Sequence, residues 1–202
     1  MARTKKPAPT WALEAGIGGR VAGVDEVGRG CIAGPVYAAA VILPEHLRSA
    51  DLGIRDSKQL SKRKREALAH RLNAEAIVGL GSASVAEITQ INILQAALLA
   101  MRRAVDALRI PPQHCLIDGN QTPELGVPAT CVIQGDQKSI SIAAASIVAK
   151  TARDAKMQQL HHAYPHYDWD KNAGYGTLAH RKALSVVGPS PHHRMSFKPL
   201  RQ

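Results

Sequence analysis

An apolar run that ends in two adjacent carboxylates constrains this chain more than any other feature. "VAGVDEVGRG", residues 21–30, reads as a buried strand as far as Asp25 and Glu26, then passes into Gly28, Arg29 and Gly30. Successive strand side chains point to opposite faces, so the two acids share a site only where the strand ends and the backbone turns. The glycines permit that turn.

Two further acids sit in similar places. Asp118 closes the short strand "HCLID" (114–118), and Asp136 closes "ATCVIQGD" (129–136). Alone, an aspartate beside a glycine reads as a turn former. Strand ends in an open α/β sheet, however, are where sites are assembled. Four carboxylates gathered there repel one another unless cations neutralise them, and hard Mg²⁺ or Mn²⁺ suits oxygen ligands. Lys and Arg total 26 against 16 Asp and Glu, a formal net charge of +10. Such an excess serves solubility or a polyanionic partner, of which nucleic acid is the commonest. Strand-end acids recurring in a basic chain point to two-metal phosphodiester hydrolysis, one ion activating water and the other stabilising the leaving oxygen.

The 202 residues, 45% of them hydrophobic, suit one mixed α/β domain with helical C-terminal additions. Residues 1–19 are expected to be a flexible tail, and 20–202 the domain. "PVYAAAVIL" (35–43) and "AIVGLGSASV" (76–85) are the other strands, and "KRKREALAHRLNAE" (62–75) is an amphipathic helix with a basic face. Ser84 and Glu87 form a capping box that opens a short helical turn. Ile91, Leu94, Leu98, Met101, Val105 and Leu108 then make a core-facing helical stripe. A long alanine-rich helix begins near Ser141, with Ser146, Lys150 and Asp154 in a polar stripe, Asp154 reading as solvated face. One more helix spans 178–186.

Several function classes are excluded. No apolar run approaches about 20 residues, and no apolar segment follows the basic N-terminus, so neither a membrane span nor a secretory signal is read. Cys31, Cys115 and Cys131 include no C-x-x-C pair, which argues for a reducing cytoplasm. His161, His162 and His166 match no zinc spacing. "GRGCIA" (28–33) mimics a dinucleotide fingerprint, but a strand follows it where a helix is required.

"GVDEVGRG", "RDSKQLS", "LIDGN", "GDQKSISIAAASIVAKTARD", "AGYGT" and "HHRMSFKP", in that order over residues 20–198, resemble bacterial ribonuclease HII. The resemblance implies a ribonuclease H-like fold with a mixed five-stranded sheet flanked by helices. It assigns metal binding and catalysis to Asp25, Glu26, Asp118 and Asp136, and ribonucleotide sensing to Gly28, Arg29, Gly30 and Tyr175. Ser57, Lys58, Ser146 and Lys150 become substrate-binding candidates. The implied activity is cleavage of RNA in RNA/DNA hybrids and on the 5′ side of single ribonucleotides in duplex DNA, with Mn²⁺ or Mg²⁺. A cytoplasmic monomer is expected, with a replication clamp as a candidate further partner. Val27, Gln134, "TARD" and "NAGYGT" depart from common family residues, but no catalytic type is missing. The rival readings are a structure-specific DNA nuclease of the same fold and a catalytically silent nucleic-acid-binding module.

Overall fold

The computed structural model describes residues 8–198 and Leu200. The chain runs through α1 (Ala12–Ile17), β1 (Val21–Val27), β2 (Val36–Ile42), α2 (Lys62–Glu75), β3 (Ile77–Ala83) and α3 (Val85–Asp106). It continues with β4 (His114–Asp118), β5 (Ala129–Val132), α4 (Ile140–Ala163), α5 (Trp169–Asn172) and α6 (Leu178–Val187). The strands form one mixed sheet in the order β3-β2-β1-β4-β5. β2 is antiparallel to β1 and β3, and β4 is parallel to β1 and β5.

Alternation along β2 explains why helices cover both faces. Val36, Ala38 and Ala40 meet the alanines of α3, while Ala39 and Val41 meet Ala143 to Ala145 of α4. Small side chains on both partners let the helix backbones lie close to the sheet. The limit is reached at Gly23, where a β-carbon would strike the Ser141–Ile142 peptide of α4.

The structure revises four expectations. The tail does not extend to residue 19: Ala12–Ile17 is helical, and buried Glu14 binds the start of α4. Residues 1–7 lie outside the described residues. In α3 the capping box at Ser84 is present, but Asn92 (φ 66°) kinks the helix and its Oδ1 re-caps it from Leu94 N–H at 2.9 Å. Beyond the kink, Ala97, Ala100, Met101, Ala104 and Val105 are buried while Ile91 is exposed, because the alanines give the closer approach. β5 stops at Val132, and Asp136 sits in the turn Gly135–Gln137. Finally, Asp154 is no solvated face, since it pairs with both Lys150 (2.6 Å) and Arg65 (3.2 Å).

Candidate active site

β1 and β4 lie side by side in register up to Val24 and Ile117, and β4 stops at Asp118. β1 does not end at Glu26 but runs on to Val27 along its other edge, paired with β2. Asp25 therefore falls level with Asp118, the last residue of β4, and Glu26 lies just past the end of β4, where its longer side chain can come round to its neighbour. Asp25, Glu26 and Asp118 each present an oxygen within 4.8 Å of the other two. Asp25 Oδ1 accepts the Glu26 amide at 2.7 Å, and Asp118 Oδ1 accepts the Gly135 amide at 2.6 Å. The second bond ties the end of β4 to the turn that carries Asp136.

Asp136 is buried but stands outside that triad, facing Asp56. Burial, then the charges of Asp56 and Asp118, push its carboxyl up to about 6. Burial, followed by Glu26, Asp118 and Asp136, lifts Asp25 well above the ordinary carboxylate range. Burial lifts Glu26 as well, against the pull of the Arg29 guanidinium 3.2 Å away. Crowded acids with depressed acidity are held at the cost of mutual repulsion. An all-oxygen donor set with excess negative charge fits a divalent cation.

A cavity of about 200 Å³ joins Asp25 and Glu26 to Lys58, Lys150 and Tyr175. Burial opposes the Lys58 ammonium, but Asp56, Asp25 and Asp136 outweigh it and raise its pKa. Ser57 and Ser146 also line this cavity, braced together: the Ser146 hydroxyl donates to Ser57 Oγ at 2.8 Å and accepts the Ser57 amide at 3.2 Å.

The Gly-Arg-Gly loop lies beside this cavity, following Val27 of its lining. Gly28 takes φ +97°, and a β-carbon there would collide with Arg153 Nε. A β-carbon on Gly30 would meet only Tyr175 Cε1, at 3.9 Å, so this loop and Tyr175 are neighbours. Arg153 is fully buried and donates to the carbonyls of Pro35, Ala173 and Ala33. Arg194, equally buried, donates to those of Gly34 and Arg29.

Every predicted site residue thus falls in or beside one region, with Asp136 one step removed from the tightest group. Asp56, Arg153 and Arg194 were missed. Asp56 directly precedes Ser57 and Lys58, and Arg153 continues the Ser146, Lys150 helical spacing, so both carried a signal. Arg194 carried none, because its partners are carbonyls distant in sequence.

Residues 22–200 match the family model for ribonuclease HII. The chain is 58% identical to ribonuclease HII of Paramagnetospirillum magneticum over 96% of its length and 98% of the relative's. It is likewise 58% identical to the Synechococcus enzyme of that name, over 90% of this chain and 83% of the relative. Among solved structures, ribonuclease H2 from Pyrococcus horikoshii superposes with a TM-score of 0.75 at 26% identity, covering 91% of this chain and 96% of that one. The ribonuclease HII of the PCNA complex from Archaeoglobus fulgidus gives the same figures. A family match spanning residues 22–200, with 58% identity to a relative over nearly the full length of both chains, shows that the chain belongs to the ribonuclease HII family.

Proposed function

We propose that this protein is an endoribonuclease that hydrolyses the RNA strand of RNA/DNA hybrids and cuts on the 5′ side of single ribonucleotides in duplex DNA. The observation that carries the reading is the single cavity that sets Asp25 and Glu26 against Tyr175, next to the Gly-Arg-Gly loop. Asp25, Glu26 and Asp118, with Asp136 beside them, would hold the divalent cations. Mg²⁺ or Mn²⁺ held there would supply an activated water and neutralise charge on the leaving oxygen.

The chain's own groups do the rest. Lys58, its charge strengthened by the surrounding acids, meets the substrate phosphate from the cavity wall. Gly28 and Gly30 let the backbone approach the sugar, and Tyr175 offers a hydroxyl and a ring to the ribose. The 2′-hydroxyl, donor and acceptor at once, is what such a site reads. Three free cysteines, two of them buried, suit a reducing cytoplasm. Among the described residues no helix is long and apolar enough to cross a membrane.

The test is a duplex DNA carrying one ribonucleotide, incubated with Mg²⁺ or Mn²⁺ and then with chelator. Metal-dependent cutting on the 5′ side, leaving 3′-hydroxyl and 5′-phosphate ends, is expected. Equal cutting of the all-DNA duplex would instead support the DNA-nuclease rival.

A further inference from the structure

Tyr175 occupies a turn between α5 and α6, where no regular ladder fixes the backbone. Three consecutive carbonyls of that turn are nevertheless held. Ala173 O accepts from Arg153 Nη1 at 2.8 Å, and Gly174 O accepts from the amides of Ile32 and Ala33 at 2.9 and 3.2 Å. Tyr175 O accepts the Thr177 amide at 2.8 Å, a local bond, and lies 2.9 Å from Nδ1 of the buried His180.

His180 is the end of a chain of contacts whose proton positions follow from chemistry. Its Nε2 lies 3.2 Å from Trp169 Nε1 and 3.0 Å from His193 Nε2. His193 Nδ1 in turn lies 2.9 Å from the Ser190 amide and 3.0 Å from Ser190 Oγ. An indole N–H and a backbone amide can only donate. His180 Nε2 must therefore accept, in a three-centre bond, which leaves its proton on Nδ1 facing the Tyr175 carbonyl. His193 Nδ1 must likewise accept, which leaves its proton on Nε2, aimed at His180. A second proton on either ring would set N–H against N–H. Burial already disfavours it, lowering His180 and, with help from the His180 charge, bringing His193 to about 4.

The neighbouring residue reaches the other half of the recognition site. Arg194 donates from Nη1 to Arg29 O at 3.0 Å and from Nε to Gly34 O at 2.9 Å. Ser190 to Arg194 thus touch both the Gly-Arg-Gly loop and, through His180, the tyrosine.

We propose that this segment is a clasp that sets the spacing between Arg29 and Tyr175, with His193, His180 and Arg194 as positioning residues for ribonucleotide recognition. The proposal rests on the reading that Tyr175 senses the ribose.

A double-mutant cycle on the single-ribonucleotide duplex tests it, using the full chain with Mg²⁺. His180→Leu removes the donor and should lower kcat on the order of tenfold, the scale of a misplaced contact group. His180→Asn, whose amide can still donate toward Tyr175, should restore most of it. In a Tyr175→Ala background His180→Leu should cost nothing more, since no side chain remains to be positioned; a merely structural role predicts additive losses. Additive losses, or a parental rate in His180→Leu, would overturn the clasp. A parental rate in Tyr175→Ala alone would overturn the sensing reading instead. Long-range ¹H–¹⁵N spectra of the parent protein need no variant to fold: they should find His180 protonated on Nδ1 and His193 on Nε2, and the opposite tautomer in either ring overturns the clasp.

Discussion

Gly28 is packed so closely under Arg153 that a β-carbon on the glycine would strike the guanidinium nitrogen Nε. The same glycine holds φ at +97°, where L side chains are strained. Gly28→Ala should therefore cost at least about 1–3 kcal/mol of stability and displace the loop that carries Arg29. Gly30 has no positive φ, and a β-carbon there would have only Tyr175 Cε1 within 4 Å. Gly30→Ala should leave the melting temperature unchanged and reduce cleavage alone. Melting curves and single-ribonucleotide assays on the pair check this; equal melting losses would mean that both glycines serve only the fold.

Asp136 makes a prediction about pH. A buried carboxyl raised to about 6 favours the protonated, folded state, so its stabilising contribution is present below the ordinary pKa near 3.8. That contribution is lost as pH rises through about 6, where the ionised group faces Asp56 and Asp118 and the Lys58 ammonium offsets their repulsion only in part. In metal-free protein, Asp136→Asn should therefore raise the melting temperature relative to the parent at pH 7.5 and do little at pH 4. Mg²⁺ should stabilise the parent more than the variant. Comparing parent with variant cancels the opposing trend of the buried histidines, which stabilise as pH rises. A variant no more stable than the parent at pH 7.5 would show that Asp136 carries no uncompensated charge.

How much of this was legible in the sequence depends on how far apart the partners lie. The bounds of α2, 62–75, are legible because the pattern that marks it lies within the segment itself. Asp25, Glu26 and Asp118 were legible because a carboxylate at the end of an apolar strand is costly wherever the strand goes. Asp136 reads as a strand end because "ATCVIQGD" continues the apolar pattern, although β5 stops at Val132 and Gln134 takes φ 56°. For Arg153 and Arg194 the partners were illegible for another reason, although helical spacing flagged Arg153 itself. Their acceptors are backbone carbonyls up to 165 residues away, and a carbonyl has no residue type to read.

Glu14 extends the same lesson to stability. Its Oε1 accepts the hydroxyls of Ser139 and Ser141 at 2.6 and 2.7 Å and the Ser141 amide at 3.0 Å. These groups open α4, whose positive end favours an anion. Glu14→Ala leaves them buried without that acceptor and should cost about 3 kcal/mol, measured by urea unfolding. Glu14→Gln, which keeps an acceptor, should cost less. A loss within the error of the extrapolation would mean that α1 does not brace α4.

The net charge of +10 bears on affinity. If lysines and arginines supply most of the binding through phosphate contacts, hybrid affinity should fall tenfold or more between roughly 50 and 200 mM salt. Fluorescence anisotropy across that range, in Ca²⁺ to prevent turnover, gives the slope. A flat response would place the basic residues away from the substrate.

Asp118 separates the chemistry from the architecture. Its Oδ1 accepts the Gly135 amide, a role that asparagine can also fill, and its negative charge joins those of Asp25 and Glu26, a role that asparagine cannot. Asp118→Asn should keep at least the parental melting temperature, since it relieves repulsion among the acids, and lose several orders of magnitude in cleavage, because one charge that holds the cation is gone. Hybrid binding should survive or tighten, since a carboxylate repels the substrate phosphate. Asp118→Ala removes the acceptor as well and should add a stability loss of about 1–3 kcal/mol, leaving the buried Gly135 amide unpaired. Cleavage, binding and melting measured on both variants distinguish the two roles. Near-parental turnover by Asp118→Asn at saturating Mg²⁺ would remove this aspartate from the catalytic group, whatever its place at the end of β4.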